Sequence, residues 1–440
     1  MVTDVSSSEH QMVARPITLI RLSSIANAFF GAGLALIFIE AMFFDYFASL
    51  ATSSFGFRAL IGFHLFPSEL WFILIGNTLT FIFLARNDFR INGAILRNSI
   101  PVFTILSIYT IWFVYGSLAG NGWALQEFRE MVFPALSLPC ILYWARYVNV
   151  NTLFKRTIVP GTILLVIASM GVVHNSALML GIFFVGYFSL GVLFKTSPWS
   201  IIGALLACLP FLFKFAKPMI ALLGFSLIAT CVLAAYLNPR SVNWILSKFK
   251  MRIALIWFGS IIALAILVFV IDTIYDGAIQ QIVRLYFLKE RLTPSGEIYY
   301  ADWSGGRLAI WKAAIDSWEL KPLFGYGLGS ELQTYAKGWT IKVQYHSYLI
   351  QALHNTGLIG FVTIVGAWIY WIRRTLRWVY ARRKFDEQRI LACMLLYVIA
   401  ILFHGLYGHS LSYSPSSQFF WLCVGFLTVV PRFDIASSRA

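Results

Sequence analysis

Four residues stand out for the chemistry that their type and setting allow: Lys214, Lys217, Arg307 and His346. Lys214 and Lys217 flank a very short turn between apolar runs, and Pro218 follows as at the first position of a helix. Two ammonium groups beside a helix start make an anion site, because the backbone N–H groups are free there and the dipole is positive. Snorkelling to lipid phosphates explains the pair equally well. Arg307 follows Gly305-Gly306, which lets another backbone come close and leaves the guanidinium for a phosphate. Arg129 sits within Glu127-Phe128-Arg129-Glu130; neutralisation by the flanking acids is favoured over anion binding. His346 and His354 are too far apart to share a metal, since on one helix they are separated by about 12 Å of rise and about 80° of rotation. A single neutral histidine could be a general base, although an interfacial hydrogen-bonding role is the commoner one. Gly325-Tyr326-Gly327-Leu328-Gly329 lacks the spacing and lysine of a nucleotide loop and reads as a tight turn. The five cysteines fall in apolar runs without a CxxC, so they read as small buried hydrophobes; no metal and no cofactor are expected.

The elements that must position these residues are membrane spans. Of the 440 residues, 59% are hydrophobic and 12% charged, against about 25% charged in a soluble domain. Mean hydropathy is +0.76. This composition excludes a disordered chain and an ordinary soluble enzyme, and indicates an all-α integral membrane protein. Twelve apolar segments are expected to span: 23–45, 67–85, 98–119, 131–148, 157–173, 177–194, 197–213, 218–237, 253–271, 356–372, 390–408 and 416–431. The polar Met1–Gln11 has no cleavable pattern, so the first span is expected to be retained as an anchor.

Charge sets the orientation. With the N-terminus cytoplasmic, 22 of the 34 basic residues fall inside, four in short outer turns and eight in one long outer loop. Long loops cross largely regardless of charge, so the comparison is 22 with 4, and both termini are expected in the cytoplasm. The net charge of +15 is then a topology signal and not a nucleic-acid footprint. Residues 1–271 carry spans one to nine, 272–355 form the outer capping loop, and 356–440 carry spans ten to twelve. Within the loop, Leu308, Trp311, Ile315 and Trp318 recur at helical spacing. Asp302 or Ser304 would start that helix, and Pro322 with Gly325 would end it; its aromatic stripe is expected to pack on the membrane surface or the bundle.

The run from Arg307 to Gly360 resembles the O-antigen ligase and polymerase superfamily. The residues that carry the resemblance are Gly306-Arg307, Trp311, Pro322, Gly325, Gly327 and Gly329. They continue with His346-Ser347-Tyr348-Leu349 and Gly357-Leu358-Ile359-Gly360. Ser347 stands where the family usually has asparagine, and His354 where an acid is common. Lys217 matches a basic residue, often arginine, at the outer start of a mid-chain helix. The resemblance implies a GT-C-like membrane enzyme on the periplasmic side of the bacterial inner membrane. Such an enzyme moves a glycan from undecaprenyl pyrophosphate to a sugar hydroxyl, inverting the anomeric centre without a metal. By the same resemblance, His346 would accept the hydroxyl proton, and Arg307 and Lys217 would stabilise the departing pyrophosphate. Lys214 and Arg129 are further substrate-binding candidates.

The leading expectation is a ligase that acts on lipid A–core; the alternative is a polymerase that extends the lipid-linked chain. One dominant outer loop favours the ligase, since polymerases often have two sizeable ones. A transporter or flippase is the reading from another class. It is disfavoured because most span centres lack the ionisable residues of a transport path, with Glu40 and Asp45 lying towards an outer end.

Overall fold

The computed structural model describes residues 16–42, 66–86, 93–169, 175–194, 199–214, 217–237, 289–292, 298–301, 307–330, 332–336, 339–342, 345, 347–382, 385–408 and 414–429. The expected span 253–271 lies outside them. Among the described residues, seven helices are long and apolar enough to cross a membrane, and three shorter apolar helices accompany them.

In chain order the first helices are α1 (Pro16–Met42), α2 (67–86, with π-type turns over Leu70–Gly76), α3 (Gly93–Leu118), α4 (Ala124–Val132) and α5 (Leu138–Trp144). They are followed by α6 (Val150–Ser169), α7 (Asn175–Leu193), α8 (Trp199–Lys214) and α9 (Lys217–Leu237). In the capping region come β1 (Lys289–Leu292), β2 (Ile298–Ala301), α10 (Arg307–Trp318), β3 (Gln333–Ala336) and β4 (Trp339–Lys342). The chain closes with α11 (Tyr348–Tyr380), α12 (Phe385–His404) and α13 (Ser414–Val429).

Three details differ from the sequence reading. The segment 131–148 is not one helix. It runs as the end of α4, a 3-10 turn over Pro134–Ser137, α5, and a second 3-10 turn over Ala145–Tyr147. Pro134 and Pro139 remove two backbone donors there and break the ladder. The capping region holds two antiparallel hairpins, β1 with β2 and β3 with β4, besides its helix. On α10 the inward face is Ile310, Ala314 and Ser317, with Ala314 buried against Leu332 and Tyr345, while Ile315 is exposed. The buried stripe is therefore rotated from the aromatic one.

The core is aromatic. Phe30, Phe154, Phe183, Phe419 and Phe426 from α1, α6, α7 and α13 meet with ring centroids 5–6.5 Å apart. α7 and α13 are apolar nearly all round, which is why they sit in the middle. Small residues let neighbours approach: Gly33 faces Phe72, and Gly161 faces Phe184.

The bundle has two chemically distinct ends. At one, Arg374 donates to Asn98, Lys155 meets Asp386 at 2.6 Å, and Arg389 lies 3.6 Å over the Tyr187 ring. This basic end gathers the starts of α3, α6 and α12 and the end of α11. At the other end, Tyr348 N–H donates to Gly405 O, joining the start of α11 to the end of α12. Phe225 of α9 stacks on Phe403 at 3.7 Å, and Tyr236 meets Tyr380 at 5.3 Å. α9 therefore runs parallel to α11, with its Lys217 end on the Tyr348 side.

Candidate functional site

The end opposite the basic one is organised by a break in a helix. Gly357 interrupts α11 at φ 62° and ψ −172°. The chain is therefore a short helix, 348–356, followed by a membrane-length one, 358–380, of about 35 Å at 1.5 Å per residue. Breaking a helix frees carbonyls before the gap and N–H groups after it, and in an apolar setting each needs a partner.

Residues 322–330 supply those partners. Tyr326 N–H donates to His354 O at 3.1 Å, and Gly327 N–H to Asn355 O at 2.9 Å. In return, Leu358 N–H donates to Pro322 O at 2.8 Å and Ile359 N–H to Leu323 O at 3.2 Å. The turn read in the sequence is thus a strap that splices the break. Its glycines allow the closeness: a Cβ at Gly325 would stand 2.4 Å from His354 O, and one at Gly329 2.0 Å from Ala124 N. The strap is also tied to α3. Trp112 Nε1 donates to Phe324 O at 2.6 Å, and Asn121 Nδ2 donates to Tyr326 O and Leu328 O at 2.9 and 3.0 Å.

Under the strap lies a knot of polar side chains. Glu127 Oε2 accepts from Gly329 N–H and from Asn355 Nδ2, both at 2.7 Å. His354 is buried and stacks on Tyr326 with ring centroids 4.7 Å apart and planes 9° apart. Its Nδ1 lies 2.8 Å from Tyr345 Oη, and its Nε2 3.2 Å from Ser317 Oγ. Burial pushes the Tyr345 phenol well above its ordinary ionisation range, so it stays a neutral donor. Nδ1 also lies 3.2 Å from Ser330 Oγ and 3.3 Å from Asn355 Oδ1, so each ring nitrogen has a partner in either tautomer. Ser330 Oγ donates to Asn355 Oδ1 at 2.9 Å. Both imidazole nitrogens are engaged and shielded, which suits His354 to positioning and not to proton exchange with a substrate.

The knot holds the segment from which α11 starts. Ser347 Oγ caps that helix by accepting from Ile350 N–H at 3.3 Å, as an N-cap serine does. Trp311 Nε1 donates to Tyr345 O at 2.8 Å, which pins the second turn of α10 to the same segment.

The residues expected from sequence fall as follows. His346 lies outside the described residues, between the buried Tyr345 and Ser347. Arg307 opens α10, Lys214 ends α8 and Lys217 opens α9, and the side chains of all three lie outside the described part. Arg129 is part-buried and reaches Glu69 of α2 at 3.4 Å. Glu127, one of the flanking acids expected to neutralise it, spends its Oε2 on the strap and Asn355. Sequence reasoning missed Glu127, Asn355, Ser330, Tyr345 and Ser317 as one cluster. Of these, Ser330 lies next to the Gly-x-Gly-x-Gly turn and Asn355 two positions before Gly357, whereas Glu127 carries no local signal. No family model matches the chain, and no curated protein matches it.

Proposed function

We propose that this protein is an integral-membrane glycosyltransferase that moves a glycan from undecaprenyl pyrophosphate to a sugar hydroxyl, most simply as an O-antigen ligase acting on lipid A–core. In this reading twelve spans carry the chain, both termini are cytoplasmic, and the strap end faces the periplasm of a bacterial inner membrane. The acceptor oxygen attacks the anomeric carbon, the bond from that carbon to the pyrophosphate oxygen breaks, and His346 takes the hydroxyl proton. Arg307 and Lys217 stabilise the charge that gathers on the departing pyrophosphate. Lys214 and Arg129 serve substrate binding, with Arg129 restrained by its pairing to Glu69. A polymerase that extends the lipid-linked chain would use the same chemistry on a different acceptor.

One observation carries the reading. Trp311, one turn after Arg307, donates to the carbonyl of Tyr345, the residue before His346. The two separated pieces of the resembling sequence are thereby tied through a part-buried bond beside the strap. The basic end opposite the strap agrees with the charge-based orientation. The test is His346→Ala in cells. Transfer should be abolished while the folded protein stays in the membrane; normal glycan-capped lipopolysaccharide in that variant would sink the proposal.

A further inference from the structure

Two cavities at the basic end meet at a single side chain. One, of about 140 Å³, is an apolar groove between α2, α3 and α5, lined by Leu84, Ile95, Phe103, Leu142 and Tyr143 and by Arg146. It opens on the outer surface of the bundle, since Leu96 on its rim is 56% exposed. The other, of about 280 Å³, is polar and is lined by Arg146, Tyr147, Asn149, Asn151 and Glu387. That volume is close to the lower limit, about 300 Å³, of pockets that hold small ligands.

Arg146 is held in an unusual way. Its guanidinium carbon lies 4.3 Å from the Tyr143 ring centroid and 4.7 Å from that of Tyr147. Aromatic rings grip a guanidinium by its face and leave its N–H edge for a planar or tetrahedral oxyanion. Its Nε is buried without a hydrogen-bond partner among the described residues. On the wall of the polar cavity, Asn151 Oδ1 is likewise a buried acceptor without a partner. Both residues line the polar cavity; buried donors and acceptors are nearly always satisfied, so a small turn of each side chain towards that cavity would meet a ligand that offers both an acceptor and a donor.

We propose that this is a binding site for one anionic phospholipid with a hydroxyl-bearing headgroup. An acyl chain lies in the groove, the phosphate accepts from the Arg146 edge, and a headgroup hydroxyl donates to Asn151. The apolar groove excludes a free phosphate ion as the natural occupant, because it would leave that groove unfilled. Charge complementarity comes from Arg146, among the described residues the one cation that lines both cavities, with Glu387 on the wall of the polar one as a second acceptor for a headgroup hydroxyl. The site is at the opposite end of the bundle from the strap and does not depend on the proposed transfer.

The test uses the full-length protein, purified in detergent and stripped of lipid. Phosphatidylglycerol, phosphatidylcholine or inorganic phosphate is added, and thermal unfolding and native mass spectrometry are read. Phosphatidylglycerol should raise the unfolding midpoint and remain as a one-lipid adduct; the other two should do neither. Arg146→Gln should weaken that adduct at least tenfold, and Arg146→Lys less. Leu96→Trp fills the groove from its exposed rim without touching the core, and should weaken it comparably even if the arginine variants prove unstable. Wild-type retention in Leu96→Trp or in a folded Arg146→Gln would overturn the proposal. So would equal stabilisation by inorganic phosphate or by phosphatidylcholine.

Discussion

Replacing Gly357 with alanine asks whether the break in α11 is a built joint. The residue sits at φ 62° and ψ −172°, a region that costs other residue types about 1–3 kcal/mol. An added Cβ would also stand 2.3 Å from Leu323 O and 2.6 Å from Gly325 N. The strap must therefore retreat by on the order of 1 Å to restore ordinary contact. Four backbone bonds cross the joint, each contributing about 0.5–1.5 kcal/mol net. Strain together with the loss of two of them comes to roughly 2–6 kcal/mol. For a chain of this size, whose unfolding entropy is about 0.9 kcal/mol/K, that is a fall in the unfolding midpoint on the order of 2–6 °C. The assay is tryptophan fluorescence on heating the purified protein in detergent. Gly366→Ala is the control: it lies in the same helix, and its added Cβ would meet open space. It should be neutral or gain up to about 1 kcal/mol from helix propensity. Equal midpoints for the two variants would refute the splice.

Further outcomes follow from the same geometry. Glu127→Ala leaves the Gly329 N–H and the Asn355 amide without their acceptor, and should cost about 1–3 kcal/mol in the same unfolding assay; Glu127→Gln, which keeps one acceptor oxygen, should lose less. His354→Phe keeps a ring against Tyr326 but loses the bonds to Tyr345 and Ser317. It should lower stability by roughly 1–3 kcal/mol and slow transfer without abolishing it; complete loss of transfer at wild-type stability would mean that His354 itself handles the proton. A deletion strain distinguishes the two acceptors: loss of a ligase leaves long carrier-linked chains, whereas loss of a polymerase leaves single capped repeats, a difference visible on a gel of lipid-linked glycans.

The helices were legible because a membrane requires long apolar runs, and such runs are read directly from composition. The Gly325–Gly329 turn was legible too, since its spacing fits no nucleotide loop. What it turns around was not. Gly357 fell at the expected boundary between the capping loop, read to 355, and the tenth span, read from 356, so the short helix that precedes it in line was not expected. The break appears only when the strap is seen to satisfy both of its sides. The polar knot was hidden for a related reason: Glu127 and Asn355 are 228 positions apart, and neither belongs to a local motif. Arg129 looked locally balanced, yet Glu69, 60 positions earlier, is the acid it reaches. Ser347 has a residue type suited to capping, but the expected loop ran to 355, so the helix it caps was not read. The interruption at Pro134 and Pro139 was also present in the sequence as a breaker signal, overridden by the apolar run around it.

Bond chemistry on a lipid-carried glycan, proposed above, can be read directly from the masses of its products. Purified protein is incubated with an undecaprenyl-pyrophosphate-linked glycan and lipid A–core, and the products are weighed by mass spectrometry. The expected products are an acceptor heavier by the glycan and free undecaprenyl pyrophosphate in equal amount, with neither formed by His346→Ala. An unchanged acceptor mass with the folded wild-type protein, or wild-type yield from His346→Ala, would contradict this chemistry.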